Sequence, residues 1–325
     1  VGDTLPGVGD TLPGVGDTLP GVGDTLPGVG DTLPGATPTE LTSDNDRFRG
    51  GVTDDAISSG AGNDFLKGKA GNDTFDAGAN NDRVYGGEGK DTIKGGTGND
   101  YLNAGDDNDS LVGGEGKDRL YGGDGDDTIT GGAGKDILKG ESGDDYLSGG
   151  ADRDRLHGGA GTDTLIGGSG NDYIEGGEGV NIIIGIEARI VTNGTSIIID
   201  EVPTFGVGER DTLSGGTGND IFILGNDEAA FYDDGKDKNK GRRDYALILD
   251  FADGDIVQLH GSAEDYTLDV SGGSTSIYLN NDGLDRITRS DELIGRIKGV
   301  NFENMDSGFS FVGDGTNQIG DLGLG

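Results

Sequence analysis

Between residues 113 and 139 the sequence reads GGEGKDRLY GGDGDDTIT GGAGKDILK. An aspartate returns at every ninth position, as Asp118, Asp127 and Asp136, with glycines before it and an aliphatic residue two positions after it. If two such units close one turn of chain, aspartates 18 residues apart lie over one another at about the strand spacing of 4.8 Å. An unneutralised column of carboxylates is destabilising, and a divalent cation between the loops reverses the sign. Carboxylate and carbonyl oxygens at variable geometry suit Ca2+, whereas Mg2+ demands a tighter octahedron and keeps its waters. Zinc and copper are disfavoured, because the chain has no cysteine and only two histidines, His157 and His260.

The elements that must position these carboxylates follow from the rest of the nonapeptide, G-G-x-G-x-D-x-U-x with U apolar. The last three residues, x-U-x, predict a short strand with U on one side and its neighbours on the other. The glycines before it turn the chain. Fifteen units run without a gap from Gly50 to Ile184, and a degenerate one, LTSDNDRFR, precedes them at 41–49. Their U column is apolar throughout: Ile57, Leu66, Phe75, Val84, Ile93, Leu102, Leu111, Leu120, Ile129, Leu138, Leu147, Leu156, Leu165, Ile174 and Ile183. A glycine-rich acidic linker does not explain that column in register with the aspartates. Bulk composition agrees, since 69 glycines in 325 residues with 31% hydrophobic content point to a repeat rather than an ordinary core. So thin a core implies that bound ions contribute to folding.

Charge sets the partners. With 61 acids against 24 bases and a net charge of -37, the chain repels nucleic acid and anionic membranes and attracts cations. No apolar run reaches the roughly 20 residues that span a bilayer, and the sequence as given opens at Val1 without a secretory signal pattern.

Around the array the sequence divides as follows. Residues 1–40 are chiefly five copies of VGDTLPG, whose Pro-Gly turns predict a flexible arm. The array occupies 41–184 and stops where Asn181 replaces the aspartate. A β-hairpin insertion is expected at 185–205, around Asn193-Gly194. Two further repeats follow at 206–223. Residues 224–312 read as a small antiparallel β-rich domain, with strands in DYALILDF, DIVQLHG, DYTLDV, STSIYLN and ELIGRIKGV and a turn at Asn281-Asp282-Gly283. Such a domain would cap the last turn of the array. The tail at 313–325 is expected to be disordered.

Residues 41–223 resemble the RTX, or hemolysin-type, calcium-binding repeat array. The resemblance implies an all-β fold, a right-handed parallel β-roll, with several Ca2+, about a dozen, held in the turns by aspartates and glycine-loop carbonyls. The implied ligands are Asp55, Asp64, Asp73, Asp82, Asp91, Asp100, Asp109, Asp118, Asp127, Asp136, Asp145, Asp154, Asp163, Asp172, Asp211 and Asp220. Some units depart from the pattern. Ser59, Ala77 and Ala104 replace the first glycine. Lys69, Glu141 and Val207 replace the second. Thr53, Asn80, Asp107, Asp152 and Glu209 replace the third. Asn and Asp tolerate left-handed backbone; β-branched Thr53, in the unit of Asp55, does so less readily, and the unit of Asp211 departs twice, at Val207 and Glu209.

A roll places position 7 of alternate units on opposite faces. One face reads Ala56, Thr74, Thr92, Ser110, Thr128, Tyr146, Thr164, Ile182. The other reads Phe65, Arg83, Tyr101, Arg119, Ile137, Arg155, Tyr173, flanked at position 9 by Lys67, Tyr85, Asn103, Tyr121, Lys139, His157 and Glu175. The Thr/Ser row is ordinary strand composition. The Arg/aromatic row could stabilise itself by cation–π contacts, or meet a cell-surface polysaccharide or another copy.

Catalytic motifs are missing: the sequence has no H-E-x-x-H, no G-x-S-x-G and no G-x-x-x-x-G-K-[ST]. His157 and His260 read as surface residues. No enzyme activity is therefore expected. The expected function is that of a secreted, extracellular calcium-binding protein with a structural, surface-layer or adhesive role, exported by type I secretion machinery as the resemblance implies. The alternative is the carboxy-terminal module of a larger secreted enzyme or toxin.

Overall fold

The computed structural model describes residues 39–186, 189–192, 197–201, 210–224, 245–260, 266–279, 292–300 and 308–312. The VGDTLPG copies, the turn at Asn193-Gly194, Val207, Glu209, the turn at Asn281-Asp282-Gly283 and the 313–325 tail lie outside these residues. Among the described residues every regular element is a strand.

Consecutive strands alternate between two parallel sheets, so each sheet takes every second nonapeptide. The register repeats at 18 residues: Ile57 pairs with Phe75 and Phe75 with Ile93 in the first sheet, and Leu66 pairs with Val84 and Val84 with Leu102 in the second. The expected β-solenoid is therefore present, and the U column is its core. Leu66, Val84, Ile93, Leu102, Leu120, Ile129, Leu138 and Leu147 are wholly buried. Most strands run beyond x-U-x into the glycines of the next unit, as in Arg83–Glu88 and Thr128–Ala133. Identical turns stack backbone on backbone, so the ladder continues until the loop reverses.

The loop reverses through left-handed backbone. The only described non-glycine residues with positive φ are Lys69, Asn80, Asp107, Glu141 and Asp152. All five stand where the nonapeptide calls for glycine. The position, not the residue type, sets the conformation, and lysine and glutamate adopt it as well as asparagine and aspartate. Thr53 does not, and neither does Gly51 two residues before it. Where glycine remains it is often required: a Cβ on Gly87, at φ 133°, would lie 2.1 Å from the carbonyl oxygen of Lys69.

The ladder continues across the interruption. Ile174 pairs with Leu213, so the register jumps from 18 residues to 39. Arg189–Thr192 and Ile197–Glu201 within the gap pair with each other, antiparallel, as a two-stranded sheet.

The carboxy-terminal region corrects the expectation of an antiparallel domain. All five expected strands form, but Ala246–Ile248 and Ile256–His260 continue the two solenoid sheets in parallel. Glu292–Lys298 and Phe309–Val312 add one more parallel strand to each. Only Tyr266–Ser271 and Ser274–Leu279 run antiparallel, at the edge of the second sheet. The sheet is mixed because Ile248, Val257, Leu259 and Ile297 prolong the same buried column, and a parallel strand is what that column offers.

Candidate metal centre

All sixteen expected aspartates fall into two columns, one at each edge of the solenoid, and every one is buried. From Asp64 onward each carboxylate is held from the preceding turn, whereas Asp55 accepts from Gly51 N–H of its own unit at 3.4 Å. The backbone N–H of Asp55 donates to Oδ1 of Asp73 at 2.8 Å, that of Asp73 to Asp91 at 2.7 Å and that of Asp91 to Asp109 at 2.7 Å. The other column runs in the same way from Asp64 through Asp82, Asp100 and Asp118 to Asp136. Asp211, whose unit departs twice from the repeat, is also in register, accepting from Asp172 N–H at 2.9 Å.

The second carboxylate oxygen is different. Oδ2 of Asp64, Asp73, Asp82, Asp91, Asp100, Asp109, Asp118, Asp127, Asp136, Asp145, Asp154, Asp163 and Asp220 is buried and accepts no hydrogen bond from the described residues. Leaving a buried acceptor unsatisfied costs on the order of 1–3 kcal/mol, more if it is charged. Except at Asp64, Asp82 and Asp109, whose units open on Ser59, Ala77 and Ala104, these oxygens face the first glycine of their own unit. A Cβ on Gly86 would sit 1.9 Å from Asp91 Oδ2 and 2.6 Å from the carbonyl oxygen of Ala104, one turn on. Carboxylate and carbonyl oxygens thus converge on a space kept open by the lack of a side chain. No point among the described residues gathers three His, Cys, Asp or Glu side chains, so backbone carbonyls must complete any ligand set. An all-oxygen set of this kind suits a hard divalent cation.

Asn181 is an internal comparison. It occupies the first column in register: its Oδ1 accepts from Asp163 N–H at 3.0 Å and its own N–H donates to Asp220. Its Nδ2 lies where an aspartate has Oδ2, and it donates to the Gly215 carbonyl at 3.4 Å. An amide N–H thus meets, in this turn, a carbonyl of the kind that faces a bare carboxylate oxygen in the others.

Electrostatics agree. Burial pushes the Asp73, Asp82, Asp109, Asp127 and Asp145 carboxyls up to about 7, and those of Asp91 and Asp154 up to about 8. Donated backbone N–H bonds oppose the shift, and neighbouring carboxylates in the column reinforce it. These aspartates are desolvated and stacked in a column of their like, so without metal they resist full ionisation at neutral pH.

Sequence reasoning missed three features. Asp255 continues the first column, accepting from Asp220 N–H at 2.9 Å, and it is buried. Its signal was DGDIVQ, an acid two places before a buried valine, but at a spacing of 35 residues the nine-residue period could not find it. Asp250 closes the last turns by accepting from Ser214 Oγ, Gly215 N–H and Gly216 N–H. Position 5 forms a ladder of its own: Asn63 N–H donates to Asn45 Oδ1, and Asn99 N–H to Asn81 Oδ1, both at 2.7 Å. Asp46 behaves as a cap, its Oδ2 accepting from Thr42 N–H and Oγ1.

A family model described as the RTX calcium-binding nonapeptide repeat (4 copies) matches residues 42–66, 58–93, 85–120, 112–147, 121–156, 157–185 and 205–228. Together these cover more than half of the 325 residues. No curated protein matches the chain.

Proposed function

The chain belongs to the RTX calcium-binding nonapeptide-repeat family, and from that premise we propose that it is a secreted structural or adhesive protein whose solenoid folds when calcium is supplied outside the cell. The observation that carries this reading is the row of buried Oδ2 atoms without hydrogen-bond partners. The aspartates of the two columns, with the carbonyls of the first-position glycines, would hold the ions. When bound, Ca2+ supplies the positive charge that the columns lack. About a dozen such ions would offset much of the net charge of -37.

The rest of the mechanism belongs to the chain. Without calcium the carboxylates repel and the thin core cannot hold the turns together, which suits passage in an extended state through type I secretion machinery. With calcium the turns close, the U column is buried and the molecule becomes a stiff rod. A rod with two flat faces suits a surface-layer or adhesive role, through attachment to a cell-surface polysaccharide or to another copy. The reading gives this chain no reaction of its own.

The test is far-UV circular dichroism of the chain during a Ca2+ titration, with Mg2+ in parallel. A cooperative gain of β signal with Ca2+ alone is expected. A β spectrum that a chelator leaves unchanged would remove the calcium-conditional fold.

A further inference from the structure

The two outer faces of the solenoid are not alike. Position 7 of the first sheet carries no charge from Ala56 to Ile182. Position 7 of the second sheet carries Arg47, Arg83, Arg119 and Arg155, each 36 residues after the last, and all four are exposed. The register places them in one line, since Arg47 pairs with Phe65, Phe65 with Arg83, Arg83 with Tyr101, and so on up the sheet. At a strand spacing of about 4.8 Å, two turns set the arginines roughly 9.6 Å apart. Among the described residues none of them pairs with a carboxylate, the one ion pair being His157 with Glu175. In a protein with 61 acids and 24 bases, four unpaired arginines at a constant period form a feature that ordinary charge balance does not produce.

Between the lower arginines lies a continuous aromatic platform. Phe65, Tyr85, Tyr101 and Tyr121 follow one another with ring centroids 5.7, 5.6 and 5.3 Å apart. Among the described residues only the ends of the platform take part in cation–π contacts, with Arg47 over Phe65 and Lys139 over Tyr121. The expected stacking of Arg83, Arg119 and Arg155 on the tyrosines is not among the cation–π contacts of the described residues, so their guanidinium groups are available. The exposed rim acids Glu88, Asp106 and Asp124 close the same strands and pair with one another in register. A broad anionic surface such as a membrane would meet this rim and be repelled. A single narrow chain along the centre line would not.

We propose that this face binds one extended polyuronate chain, a carboxylated polysaccharide lying parallel to the solenoid axis. The apolar faces of its sugar rings would pack on the aromatic platform, and its periodic carboxylates would take charge-assisted bonds from the arginines at two-turn intervals. The proposal rests on the adhesive reading above and names its partner.

The experiment measures binding of the full chain, in Ca2+, to short oligogalacturonate, to its neutral methyl ester and to polyglutamate of similar charge. Three proteins are compared: the parent chain, Arg83→Ser/Arg119→Ser/Arg155→Ser, and Tyr101→Arg/Arg119→Tyr, which keeps the charge but breaks the spacing. Circular dichroism of every sample reports the calcium-dependent fold separately. The expected result is salt-sensitive binding of oligogalacturonate by the parent, with a loss of about tenfold or more in both variants, as three or fewer charge-assisted contacts would give. Little binding of the ester or polyglutamate is expected. Absence of parent binding, or equal binding by the triple variant, would overturn the proposal while an intact calcium response leaves the calcium-conditional fold standing. Equal binding of polyglutamate would overturn the sugar assignment, and equal binding by the spacing variant would overturn the register. Loss of the calcium response in the parent itself would remove the reading on which the proposal depends.

Discussion

At the scale of single residues, the second carboxylate oxygen separates a metal column from a hydrogen-bonded one. Oδ1 is satisfied by the turn before it, and Oδ2 is not. Asn181 shows how the protein itself resolves the same geometry without charge, by presenting an N–H to a glycine carbonyl. The comparison predicts the outcome at Asp118. Asp118→Asn keeps the bond from Asp100 N–H and removes one negative oxygen. It is expected to lower the calcium stoichiometry measured by equilibrium dialysis, while leaving the chelated protein no less stable. Asp118→Ala loses the bond as well and is expected to cost about 1–3 kcal/mol in denaturant titrations with calcium present. Equal calcium stoichiometry in all three proteins would show that Asp118 is no ligand.

At the scale of the elements, each column couples the sheets to pH. Among the buried aspartates, Asp100, Asp136, Asp163 and Asp220 are raised from 3.8 to about 6, Asp73, Asp82, Asp109, Asp127 and Asp145 to about 7, and Asp91 and Asp154 to about 8, while Asp64, Asp118 and Asp255 are also raised. The metal-free folded state therefore binds more protons than the unfolded chain between about pH 4 and pH 8. Stability rises with pH only where the unfolded state binds more protons, and here the sign is the opposite. In chelator, the solenoid should be most stable near the bottom of that window and lose stability as pH rises through 6 to 8. In calcium the trend reverses, because protons compete for the same oxygens: the calcium midpoint should rise as pH falls below about 7. Thermal melts at pH 5, 6, 7 and 8, with and without calcium, check both trends. A chelated protein that gains stability as pH rises would contradict the raised values.

At the scale of the whole molecule, stability depends on closing the ends of a one-dimensional stack. Each turn touches only its neighbours, and terminal units must cover the last apolar rung. The amino-terminal end is closed at the carboxylate column by Asp46 bonded to Thr42. The carboxy-terminal end is closed by Asp250, by the added parallel strands and by the antiparallel edge. A chain ending at Gly185 exposes the Ile182–Ile184 strand, whose residues are otherwise buried. It is expected to need more calcium to reach the same β signal, and to associate on a sizing column. A truncated chain that folds at the same calcium concentration and stays monomeric would show that the cap contributes little.

The sequence by itself determined the local repeat and everything that follows from strict periodicity. The U column, the alternation of faces, the aspartate register and the arginine row were all legible because a solenoid converts a nine-residue period directly into position. Three things were decided by tertiary structure alone. Asp255 joined the column although the nine-residue period had lapsed, because Val257 seeks the same buried core as Phe222 below it. The carboxy-terminal strands ran parallel rather than forming a separate antiparallel domain, because the open end of the stack offered them a ladder. Lys69 and Glu141 took left-handed backbone, where propensity disfavours them, because the turns above and below left no other path. Local pattern specifies what repeats. Where the pattern lapses, the surface left by the preceding turn decides.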